Sequence, residues 1–155
     1  MDKKNLLITI IVFFYTFLLQ AQSDTLNRRQ IRPFGISCQI GGPTYLMAVN
    51  LDYFVSKNFS LEVGAGAIGY YGGVKAYFGK KTWNSMPFIG ATYSNITFGG
   101  DDGGIFPYLY LPLGYHFVGK KGLNASLEIA TISPDIGLFG QLRIGYRFLK
   151  KKKTK

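Results

Sequence analysis

Little in this chain is of the kind that builds a catalytic or metal centre. Its 155 residues hold one histidine, His116, and one cysteine, Cys38. A single thiol excludes an internal disulfide, and one His with one Cys leaves no zinc-ligand spacing. Acidic residues are scarce, 8 against 18 Lys and Arg. The adjacent Asp101 and Asp102 lack the spacing of a calcium loop and read as a solvated loop tip. No metal and no cofactor are expected. Beyond Pro33 helical periodicity is nearly missing, so the formal charge of +10 has no recognition helix to present to nucleic acid. Beyond Leu19 there is also no apolar run of the roughly eighteen residues that a membrane helix needs.

What is there begins with an export signal. Lys3 and Lys4 precede an uncharged apolar run from Leu6 to Leu19, followed by Gln20-Ala21-Gln22-Ser23. That order of a basic start, a short apolar stretch and a small residue predicts a cleaved signal peptide over residues 1–21, cut after Ala21. Cys38 lies too far downstream to be a lipid-modified N-terminus. Residues 22–33 read as a polar periplasmic lead-in, and the rest is one domain by length.

From Phe34 onward the period is two, the spacing of a strand with one apolar face. Eight such runs are predicted: Phe34 to Gly41, Tyr45 to Val55, Phe59 to Ala67, Tyr70 to Phe78, Pro87 to Asn95, Ile105 to Phe117, Leu123 to Thr131 and Gly137 to Phe148. Within them Asp52, Glu62, Lys75, Glu128, Arg143 and Arg147 all fall on the less apolar face, and the other face carries no charge. Aromatics such as Phe34, Tyr53, Phe59, Phe78, Tyr93, Phe117 and Phe148 recur near run ends on the apolar parity. Apolar residues outward, polar residues inward and aromatics at the rims are the arrangement of a membrane barrel. Pro107 and Pro112 in one run also suit a soluble sheet poorly.

The expected fold is therefore all-β, an eight-stranded antiparallel up-and-down transmembrane β-barrel over residues 34–148, with a side-chain-filled lumen and no open channel. An even strand count puts both termini on the periplasmic side. The connections on that side carry Lys57, Lys80, Lys81, Lys120 and Lys121, and the outward ones Asp101, Asp102 and Asp135. Residues 149–155 form a basic periplasmic tail able to approach anionic lipid heads.

An export signal, eight period-two strands and a final strand ending Gly145-Tyr146-Arg147-Phe148 resemble the small bacterial outer-membrane barrels of the OmpA-transmembrane and OmpX type. Gln22 directly after Ala21 is similar to exported proteins of the Bacteroidetes group. The resemblance implies residence in the outer membrane as a monomer, contact with outer-membrane lipids, and assembly by the insertion machinery that reads a terminal strand ending in an aromatic residue. This chain departs from the pattern by continuing from Leu149 to Lys155.

Two constellations carry chemistry. Glu62, Lys75, Glu128, Arg143 and Arg147 face a narrow interior, where charges must pair or bear a large desolvation cost. Arg143 is expected to pair with Glu128 on the neighbouring strand, and the group reads as a lumen charge network. His116, Ser126 and Glu128 share the interior parity of adjacent strands and include the types of a nucleophile, a base and an orienter. They face inward rather than toward lipid, so they read as interior polar residues and no catalytic residue is assigned. The functional expectation is a non-enzymatic protein of envelope structure, or one that docks an envelope component. The alternatives are an outer-membrane enzyme that modifies lipid, or a soluble periplasmic barrel that binds an apolar ligand in an apolar interior.

Overall fold

The computed structural model describes residues 28–80, 84–97, 104–132 and 137–150. The expected signal peptide, Lys81, Asp101, Asp102, Asp135 and most of the basic tail lie outside the described residues. Eight strands, β1 (Phe34–Gly41), β2 (Met47–Ser56), β3 (Phe59–Gly66), β4 (Gly69–Tyr77), β5 (Ser85–Thr97), β6 (Ile105–Val118), β7 (Leu123–Ile132) and β8 (Leu138–Phe148), follow one another around a closed barrel. Each strand pairs antiparallel with its sequence neighbours, and β8 closes on β1 from Phe34 opposite Phe148 to Gly41 opposite Gln141. The all-β, eight-stranded up-and-down barrel expected from the alternation is the fold.

The alternation also orients the wall. Leu142, Ile144, Tyr146 and Phe148 on β8 are exposed, while Gln141, Arg143 and Arg147 between them are buried. The same holds around the barrel, so large apolar side chains such as Val49, Val63, Ile89, Leu113 and Ile129 lie on the outer surface. Phe34 and Phe148 meet across the closing seam with ring centroids 5.9 Å apart.

Proline is accommodated by local pairing. Pro112 on β6 has no N–H to give the ladder, and pairing with β5 lapses between Ile89 opposite Leu113 and Thr92 opposite Tyr110 without a change of register. Across this gap stands Gly90, where a Cβ would lie 2.9 Å from the Pro112 ring. A glycine facing a proline lets a proline-bearing strand stay inside a closed sheet.

Beyond one-residue shifts at the ends of β2, β3, β4, β6, β7 and β8, the structure departs from the periodicity in three places. Tyr45 does not join β2: Gly41 and Gly42 have φ of 77° and 78°, and Gly42–Thr44 forms a 3-10 turn, η1. Tyr45 itself adopts φ 60° and packs on Tyr108 and Phe139 with centroids 5.9 and 5.2 Å away. At β5 the strand runs two residues further at each end than Pro87 to Asn95, because Met86 and Ile96 turn inward and blur the alternation there. Within the polar lead-in, Arg28–Ile31 forms a short helix, α1, with Arg28 and Arg29 buried.

Candidate functional site

The lumen is the site, and its centre is a four-charge cluster. Lys75 Nζ lies 3.2 Å from Glu62 and 2.9 Å from Glu128. Arg143 Nη1 lies 2.8 Å from Glu62, and Arg143 Nη2 lies 3.6 Å from Glu128. Two cations and two carboxylates therefore alternate across the interior, on β3, β4, β7 and β8. The expected Arg143 to Glu128 approach is present, but the shorter contact of Arg143 is to Glu62. Pairing reasoned from adjacent strands misses this, because in a narrow barrel long side chains reach across the axis.

Neutral groups extend the cluster toward the end that carries η1. Thr92 Oγ1 donates to Glu62 at 3.3 Å. Arg143 Nη1 also donates to Asn50 Oδ1 at 3.2 Å. Asn50 Nδ2 donates to the Tyr71 hydroxyl at 2.9 Å, which donates to Gln39 Oε1 at 2.7 Å, and Gln141 Nε2 reaches the same oxygen at 3.0 Å. The mouth beyond is covered by η1 folded inward. Gly42, Pro43 and Thr44 are buried, and the Pro43 carbonyl accepts hydrogen bonds from Ser94 and Tyr108.

Arg147, the fifth residue of the predicted network, forms a separate pair with Asp52. It also donates from Nε to the Arg32 carbonyl at 2.9 Å and from Nη2 to the Pro33 carbonyl at 2.5 Å, and its guanidinium lies 4.2 Å from the Phe54 ring centroid. Gly35 makes room for the pair. It stands opposite both Asp52 on β2 and Arg147 on β8, and a Cβ there would lie 2.6 Å from Asp52 Oδ1 and 3.0 Å from Arg147 Nη1.

The same end is closed by α1. Arg29 Nη2 donates to the His116 carbonyl at 2.9 Å and to the Asn84 carbonyl at 3.3 Å, while Arg28 Nη1 donates to the Val118 carbonyl at 3.2 Å. The Arg29 guanidinium lies 5.7 Å from the Phe54 ring and 5.6 Å from the Tyr77 ring, a cation-π seat. Burial, with the nearby Arg147 and Arg28, pulls its pKa down to about 10, against an opposing pull from Tyr77. Beneath it Phe54, Tyr77, Met86 and Phe88 form an apolar plug.

Sequence reasoning left Asp52, Arg28 and Arg29 out of the network. Asp52 had a usable signal, since it shares the interior parity with Asn50 and lies one strand across Gly35 from Arg147. The arginines had none, because an Arg-rich segment before the first strand reads as solvated.

His116 and Ser126 stand directly opposite one another on β6 and β7, both buried. His116 stacks on Phe54 at 5.8 Å and 13°, and neither its Nδ1 nor Ser126 Oγ has a hydrogen-bond partner among the described residues. Glu128 is engaged by Lys75 and Arg143. The three therefore make no hydrogen-bonded relay of the kind nucleophilic catalysis uses.

No family model matches the chain, and no curated protein matches it in sequence. Among solved structures the chain is similar to the N-terminal β-barrel domain of Pseudomonas aeruginosa OprF, with 16% sequence identity and a TM-score of 0.48, over 74% of this chain and 95% of that one.

Proposed function

We propose that the protein is a non-enzymatic barrel of the bacterial outer membrane that contributes to envelope structure or docks an envelope component, with both termini in the periplasm. The observation that carries this reading is the inverted wall. Asp52, Glu62, Lys75, Glu128, Arg143 and Arg147 are all buried inside, while the outer wall is clad in exposed Leu, Ile, Val, Phe and Tyr. Such a surface is costly in water and stable in hydrocarbon, where a closed sheet leaves no unpaired backbone edge. A soluble barrel holding an apolar ligand requires the opposite, an apolar interior. With a cross-braced centre and both mouths covered, the work of the protein falls to its wall and rims.

Fractionation of the producing cells tests this, combined with electrophoresis of the membrane fraction with and without heating. The expected result is recovery with the outer membrane and a mobility that changes only on heating. Release with the soluble periplasm, or extraction by salt alone, would overturn the reading.

A further inference from the structure

The three acidic side chains among the described residues, Asp52, Glu62 and Glu128, are all buried in the lumen. The exposed charged residues among the described residues are Lys80, Lys120, Lys121 and Lys150; Lys57 and Arg32 are half-buried, and Arg32 donates to the Arg147 carbonyl at 3.0 Å, which leaves five lysines to consider. All five sit at the end of the barrel where the chain enters and leaves. Their spacing around it is regular: between β2 and β3, after β4, between β6 and β7, and after β8, which is every second strand boundary.

At each of these corners a lysine lies within three residues of a phenylalanine of outward parity: Lys57 by Phe59, Lys80 by Phe78, Lys120 by Phe117 and Lys150 by Phe148. Phe59, Phe78 and Phe148 are 40%, 50% and 45% exposed on the wall. An aromatic ring at the edge of an apolar belt, followed by a long cationic side chain just beyond it, matches the depth profile of a lipid leaflet: acyl boundary first, headgroup phosphate next. A docked protein would meet one side of the barrel. Charges on every side match a medium that surrounds it.

We propose that the four phenylalanine-lysine corners form an annular site for phosphate-bearing anionic lipid headgroups in the leaflet at the terminus end. The inference rests on the membrane-barrel reading and adds to it the lipid class and the side of the bilayer.

Native mass spectrometry of the folded protein, released from micelles holding equal amounts of phosphatidylglycerol and phosphatidylcholine, tests the site. Retained lipid should be enriched in phosphatidylglycerol, on the order of fivefold for each lysine in contact, and the enrichment should collapse in high salt. Lys57→Gln, Lys80→Gln, the double Lys120→Gln/Lys121→Gln and Lys150→Gln should each remove a share, and their combination should abolish the preference. Equal retention of both lipids by the parent protein overturns the inference, as does loss of the whole preference from one corner alone, which would mark a local site. Sedimentation with vesicles after a salt wash is read in parallel. A folded barrel that stays with vesicles yet shows no preference overturns only the annular site, whereas release from vesicles overturns the membrane reading beneath it.

Discussion

Glu62 on β3 and Arg143 on β8 meet at 2.8 Å although their strands are not neighbours in the sheet. The contact spans the lumen and ties opposite walls together, and Lys75 and Glu128 complete the cluster from β4 and β7. Breaking a buried pair by removing one partner leaves an uncompensated charge, which costs about 3–5 kcal/mol. Arg143→Met should therefore lower the unfolding free energy in lipid vesicles by that order, read as a lower urea midpoint, and Glu62→Gln with Arg143→Met should cost clearly less than the two changes summed. An unchanged midpoint for Arg143→Met would show that the cluster does not brace the barrel.

Two glycines make a controlled comparison. Gly35→Ala places a methyl group against the Asp52 and Arg147 pair, with overpacking worth about 1–3 kcal/mol. At Gly72, on the outward parity, a Cβ would find its nearest neighbours at 3.8 and 3.9 Å. Gly72→Ala should be neutral, or stabilising by up to about 1 kcal/mol. Equal unfolding midpoints for the two variants would contradict the tight seat assigned to Gly35.

Arg29→Met keeps much of the side-chain volume but removes the hydrogen bonds to the His116 and Asn84 carbonyls and the cation-π seat. A loss of about 1–3 kcal/mol is expected, together with faster amide exchange at Val118, whose N–H bonds the Asn84 carbonyl at 2.8 Å. Exchange at Val118 that is unaltered in the variant would mean that α1 does not hold this end shut.

His116→Ala and Ser126→Ala should leave the lipid A acylation profile of the producing cells unchanged. A profile altered by both variants, but not by Asn124→Ala, would return an enzymatic reading to the lumen.

Much of this architecture was legible in the chain because strand parity is unforgiving: a slip of one residue would move every apolar side chain to the other face. Clean alternation in β1, β7 and β8 thus fixed both pairing and orientation. The failures occurred where inner and outer faces were both apolar. Met86, Phe88 and Ile96 point inward at the ends of β5 and hide its length. Tyr45 continued the alternation on paper, but the left-handed Gly41 and Gly42 had already turned the chain. At the site, parity told which charges enter the lumen and could not tell which meet, since partners such as Glu62 and Arg143 are set by reach across the axis. Arg28 and Arg29 escaped because neither belongs to a strand.

The closing seam from Phe34 opposite Phe148 to Gly41 opposite Gln141 also constrains assembly. Arg143 and Arg147 arrive on the last strand to be made, and the carboxylates they neutralise are already laid down on β2, β3 and β7. A seven-stranded intermediate would leave Asp52 without Arg147, and Glu62 and Glu128 with Lys75 as their one cation. On the membrane-barrel reading proposed above, the final hairpin delivers both the missing edge and the missing guanidinium charge, which ties insertion to closure.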